Sequence, residues 1–188
     1  MVPITLYAKP SLMRDRLTYY KDPRDENDLH FAMEVAALLE RFFMEHGDEL
    51  SQRYGKADVA LIVPTKKRQG EAHPLEVALD QLPASSVPRR ERLLKLGTEE
   101  IGRRKPSREG FVIDGNVAGR TVLVLDDVYT TGATAQSAVH ALVAAGAVVP
   151  AVVVVGRRLN PDNFPPVAGM VNRQRQIPFS FSRSPWAS

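Results

Sequence analysis

VLVLDDVYTTGAT, residues 122–134, changes character three times within a short span. Val122, Leu123, Val124 and Leu125 form an unbroken apolar run rich in β-branching, as a strand covered on both faces of a parallel sheet requires. Asp126 and Asp127 stand at its carboxyl end, and from Thr130 small hydroxyl and glycine residues lead into an apolar helical stretch reaching Ala145, with Gly146 as its C-cap. A strand that ends in acids and turns through Thr130, Thr131, Gly132, Ala133 and Thr134 into a helix aims backbone N–H groups, hydroxyls and the positive helix end at one spot. That spot suits a phosphate monoester.

Neighbouring residues on a strand point to opposite faces, so the two carboxylates are expected to differ in role. Either can accept hydrogen bonds from a vicinal diol or help hold a divalent cation, which makes a phosphorylated sugar a better fit than bare phosphate. All of VLVLDDVYTTGAT resembles the phosphoribosyl-diphosphate (PRPP) signature of type I phosphoribosyltransferases. The resemblance implies an α/β fold, with a central, mostly parallel, twisted sheet flanked by helices and a small variable hood. It also implies that Asp126 and Asp127 face the ribose hydroxyls as catalytic groups and hold Mg²⁺, in part through water, while Thr130, Thr131, Gly132, Ala133 and Thr134 wrap the 5-phosphate.

The chain of 188 residues reads as one phosphoribosyltransferase domain, 1–188, long enough for a real core. Hydrophobic content of 44% and charged content of 25% are those of a soluble globular protein. Without cysteine there are no disulfides and no thiolate zinc sites, in keeping with a cytoplasmic setting. No apolar run reaches the length of a membrane span, and MVPITLYAKP lacks the regions of a signal peptide. The net charge of +3 permits polyanionic substrates without arguing for nucleic acid.

The first fifty residues are read as N-terminal helices behind a short edge strand at 4–7. Ser11 caps a helix over LMRDRLTYY, and an amphipathic helix runs from Leu29 to His46, ended by Gly47. Its aromatic stripe is core by its spacing. YAKPSLMRDRLTYYKD, residues 7–22, is similar in layout to the opening helix of ComF-type phosphoribosyltransferase-like proteins, although this chain lacks their N-terminal cysteine zinc module.

Residues 59–63 form a second buried strand, ending in PTKKRQG. Consecutive cations at the carboxyl end of an α/β strand, the edge where ligands bind, call for an anion. By the resemblance, Thr65, Lys66, Lys67 and Arg68 hold the pyrophosphate, with Lys66 also catalytic. A helix follows over 72–82 with Pro74 at its first position, and His73 serves as its entry residue. Periodicity fades over 83–110, where eight cations face three glutamates between Arg89 and Arg108. So long a loop in a small domain is functional or disordered. The resemblance makes it a flexible basic flap that closes over the diphosphate, with Arg103 and Arg104 as catalytic contacts and Lys105 beside them. Residues 111–113 read as a strand, followed by the turn signal Asp114-Gly115, and are expected to form a hairpin arm leading into the central strand.

A β-branched run over 148–155 gives a further strand with Arg157 just past its end, a candidate base contact. Residues 157–188 form a tail or hood whose Trp186 can stack on a flat ring. There is no GxGxxG, P-loop, GxSxG or HExxH pattern.

The reading is a Mg²⁺-dependent pentosyltransferase that moves phosphoribosyl from PRPP to a nitrogen nucleophile, a nucleobase by preference. Its family relatives imply a homodimer. The alternative is a non-catalytic PRPP- or nucleotide-binding regulator, such as a ComF-like protein associated with DNA uptake. A nucleic-acid contact through residues 89–108 is the least favoured reading, and no membrane role is expected.

Overall fold

The computed structural model describes residues 1–22, 24–65, 72–82, 85–162, 164–178 and 180–186, with backbone alone at 174 and 175. The run at 122–125 becomes the buried first half of β5 (Val122–Tyr129). Parallel to it on one side lies β6 (Val152–Arg158), with β1 (Val2–Tyr7) beyond that at the edge, and on the other side lies β2 (Val59–Ile62). Among the described residues the sheet order is therefore β1-β6-β5-β2. A single parallel bridge extends it past β2, where the Ala60 N–H donates to the Arg89 carbonyl at 2.8 Å.

Alternation along each strand sorts the core into two layers. Leu123 and Leu125 with Val153 and Val155 face one side, packed with Leu39, Phe42 and Phe43 of α2 (Asp28–Tyr54). Val122 and Val124 with Val59 and Leu61 face the other, against Ala138, Ala141 and Leu142 of α4 (Ala133–Ala144). The first layer also holds Leu17 of α1 (Leu12–Tyr19) and Leu75, Ala78 and Leu79 of α3 (Pro74–Asp80). As expected, the Ser11 hydroxyl caps α1 by accepting from the Arg14 N–H, and His73 caps α3 ahead of Pro74. The α/β class and the helix-flanked parallel sheet stand as read.

Four expectations need correction. Gly47 does not end α2, which runs on to Tyr54 and stops at Gly55, where φ is 90°. Leu50 prolongs the buried stripe, and that burial outweighs the roughly 1 kcal/mol a glycine costs inside a helix. The strand expected over 148–155 starts only at Val152, because Pro150 has no N–H for the ladder; Val148 keeps one isolated bridge to Thr121. Its carboxyl end therefore includes Arg157 and Arg158. Finally, β4 (Phe111–Ile113) does not pair with the central strand. It pairs antiparallel with β3 (Leu94–Leu96), a strand inside the segment read as flap, leaving 97–110 as the connecting loop.

The C-terminal segment forms a 3-10 turn, Pro165–Val167, and then α5 (Ala168–Gln176), whose Val171 is buried. Among the described residues no helix is long and apolar enough to cross a membrane.

Candidate active site

Asp126 and Asp127 lie within β5, near its carboxyl end, and both are buried. Alternation sends them to opposite layers: Asp126 shares the α4 face with Val124, and Asp127 shares the α1–α2 face with Leu125. There the Lys21 ammonium stands 2.8 Å from Asp127 Oδ1, and it also lies 5.4 Å from the centre of the Tyr20 ring. The Tyr20 hydroxyl is fully buried beside the Asp127 carboxylate, and burial first and Asp127 next hold its pKa well above the ordinary value. The Tyr20 and His73 rings are 6.1 Å apart. Asp127 is thus buried among polar groups, and Asp126 Oδ1 accepts the Asp127 N–H at 2.9 Å.

These surroundings split the two acids. Burial, reinforced by the charge of Asp127, holds the Asp126 carboxyl well above its ordinary range. Burial also pushes Asp127 upward, but the Lys21 ammonium outweighs it and the net displacement is downward. Burial and the Asp127 charge thus favour the protonated form of Asp126, while Lys21 favours the charged form of Asp127. Next to them Tyr7, at the end of β1, is raised to about 12 by burial and then by Asp127, with Arg158 and Arg14 pulling the other way.

After Tyr129 the chain turns through Gly132, whose φ of 85° is the left-handed conformation that glycine adopts freely. A Cβ there would lie 2.3 Å from the Tyr129 hydroxyl, so the turn needs glycine on two counts. Gly132 and Ala133 are buried while Thr130, Thr131 and Thr134 are exposed at the N-terminus of α4, whose first N–H groups have no partner within the helix.

The flap lies on this turn. The Thr131 hydroxyl donates to the Arg103 carbonyl. The Ser107 N–H donates to Ser137 Oγ at 2.9 Å, and Ser137 in turn donates to the Ala133 carbonyl at 2.8 Å. The side chains of Arg103, Arg104 and Lys105 are exposed.

Of the remaining sequence candidates, Thr65 sits just past β2, where the Val63 N–H still donates to the Leu125 carbonyl. Lys66, Lys67 and Arg68 lie outside the described residues. Arg157 pairs with Tyr129 in the β5–β6 register and so flanks the Gly132 turn. Trp186 does not join the site. Its ring lies 6.2 Å from Tyr54 and 5.1 Å from the Arg53 guanidinium, at the end of α2 that leads into the amino end of β2, across the sheet from the acids. The sequence assigns Lys21, Tyr20, Tyr7 and Arg158 no site role, because no local pattern marks a residue that meets a strand end from another element.

No protein-family model matches the chain, and no curated protein does. Among solved structures, the allosteric regulatory enzyme of purine biosynthesis is similar at 25% identity, over 63% of this chain and 26% of that one, with a TM-score of 0.34. So partial a likeness carries no weight for the chemistry of the site, which stands on its residues.

Proposed function

We propose that this chain is a phosphoribosyltransferase of the type I architecture, transferring the 5-phosphoribosyl group from PRPP to a nitrogen nucleophile with release of pyrophosphate. The observation that carries the reading is the run from two buried acids at the end of β5 directly into the left-handed Gly132 turn and the N-terminus of α4. A diol grip and an anion nest then fall within one ligand's length.

In the transfer, the nitrogen lone pair forms the bond to C1 of the ribose as the C1–oxygen bond breaks, and that electron pair departs with pyrophosphate. Positive charge grows on the sugar beside Asp127. Negative charge grows on the leaving group, which Thr65 and the adjoining basic run, with Arg103 and Arg104 of the flap, are placed in sequence to meet. Catalysis of this kind is positional and electrostatic. A flap held on Thr131 would exclude water.

Mg²⁺ is the metal this reaction class implies. Among the described residues no group of three or more His, Cys, Asp or Glu side chains gathers to hold an ion. Asp126 and Asp127 are the residues that would hold it, in part through water. When bound, it neutralises charge on the leaving diphosphate.

One observation favours a second reading, a PRPP- or nucleotide-sensing protein without transfer: Lys21 already occupies Asp127, so ligand binding must rearrange the N-terminal segment. The two are separated by incubating the protein with PRPP, Mg²⁺ and a panel of purines, pyrimidines and amines. Pyrophosphate release with one acceptor supports the transferase, and PRPP binding without release supports the sensor. Failure to bind PRPP removes both.

A further inference from the structure

In the sheet, β2 and β6 flank β5 on opposite sides. Thr65, a pyrophosphate candidate from the sequence, follows β2 on one flank. A leaving diphosphate held there obliges the nucleophile to approach C1 from the opposite flank, over β6 and β1, because a displacement at carbon places the attacking and departing atoms in line. Two strand spacings, about 10 Å, separate β5 from β1, which is the reach of a substituted ring.

That flank is cationic. Tyr7 pairs with Arg158 in the β1–β6 register, and the Leu159 N–H donates to the Tyr7 carbonyl at 2.7 Å. Lys9 follows Tyr7 on the same rim, and Arg14 stands in the first turn of α1, its N–H on the Ser11 cap. Asp15, 2.8 Å from Arg14, offsets one of these charges. Neither Lys9 nor Arg158 makes an ion pair among the described residues, and the buried Arg158 Nε has no hydrogen-bond partner there. Burying a guanidinium N–H without an acceptor is costly unless something else supplies one. Beside the rim opens a cleft of about 380 Å³, lined by Tyr7, Ala8, Pro10 and Leu159 and closed by Met13 and Val171. That is room for a small flat ring. The crowding shows in Lys9 itself, whose ammonium is held below its ordinary value by Arg158 first and Arg14 next, with a smaller share from Arg103.

We propose that the nucleophile which takes the phosphoribosyl group carries its own anionic substituent, a carboxylate or phosphate, and that Lys9, Arg14 and Arg158 at the rim of β1 and β6 bind it. The inference rests on the transferase reading and narrows its acceptor. An anionic group there would bridge cations that otherwise repel one another, and a charge-assisted pair discriminates far better than ring shape alone.

The test first measures PRPP binding with Mg²⁺ by calorimetry. KM is then determined for three matched acceptors on one nitrogen-bearing framework: neutral, carboxylate-bearing and phosphate-bearing. We expect one anionic acceptor to show a KM at least ~10-fold below that of the neutral one, and Lys9→Gln and Arg158→Gln each to close most of that gap. Which anion wins identifies the substituent. Lys9 is exposed, so its variant does not put folding at stake. If PRPP binds and the neutral acceptor is used as well as or better than both anions, the acceptor proposal is overturned while the transferase stands. If PRPP does not bind, or binds without release from any acceptor, the transferase reading and this proposal fall together.

Discussion

Lys21 Nζ lies 2.8 Å from Asp127 Oδ1, with the lysine side chain 16% and the aspartate side chain 6% exposed. A residue between the first two helices thus supplies the counter-charge for a carboxylate at the end of the central strand. Removing one member of a buried pair leaves the other uncompensated. Lys21→Met is therefore expected to cost about 3 kcal/mol in urea unfolding at pH 7. The loss should shrink toward pH 4, because without Lys21 burial raises the Asp127 pKa and stability falls as pH rises through it. Asp127→Asn in the same chain should recover part of the loss. Equal stability of wild type and Lys21→Met at pH 7 would contradict the pairing.

For the acids themselves, Asp126→Asn with Asp127→Asn is expected to lower Mg²⁺-dependent turnover of PRPP by orders of magnitude while circular dichroism stays native. Asparagine keeps nearly the shape of aspartate at both buried positions, although Lys21 loses its counter-charge. Undiminished turnover in the double variant would remove the acids from the reaction.

Docking of the flap depends on few contacts, so it should be easy to release. Ser137→Ala takes away the acceptor of the buried Ser107 N–H, a change worth about 1–3 kcal/mol locally. Limited trypsin digestion followed by mass spectrometry should show faster cutting after Arg103 and Arg104, with α4 intact. An unchanged cleavage rate would mean that the loop is held by something else.

At the turn proposed to hold the 5-phosphate, Gly132→Ala forces a side chain into the left-handed region and against the Tyr129 hydroxyl. The backbone alone costs about 1–2 kcal/mol. Thermal melts should show the loss of stability and calorimetry a weakened affinity for PRPP or inorganic phosphate. A variant with native melting temperature and native affinity would argue that the turn is not as tight as described.

Away from the site, Glu40 on α2 accepts from the Ser85 hydroxyl at 2.8 Å and from the Ser86 N–H. Burial pushes its carboxyl upward, but these hydrogen bonds outweigh burial and hold it below the ordinary value. A depressed acid stabilises the fold above its unfolded pKa and loses that contribution as pH falls through the folded one. Glu40→Gln should accordingly lower the melting temperature at pH 7 and make little difference near pH 3. A gap that widens on acidification would reverse the assignment.

Much of the strand and turn that carry the candidate site was legible in the chain because its determinants are local. Four apolar residues, two acids and a glycine that must be left-handed specify strand, strand end and turn through backbone preferences that act over a few residues. Ser11, His73 and Pro74 announce their helix starts in the same way. Local signals failed where packing competed with them: Leu50 carried α2 past Gly47, and Pro150 delayed β6.

The three-dimensional fold alone decided which distant residues meet. Placing β6 between β1 and β5 brings Tyr7, Lys9 and Arg158 to the acids' rim, and the docking of α1 and α2 brings Lys21 onto Asp127. The seating of the tail carries Trp186 to the opposite edge. None of these contacts has a local signature, since each is fixed by which apolar faces bury against one another and only then by the charges those faces carry along.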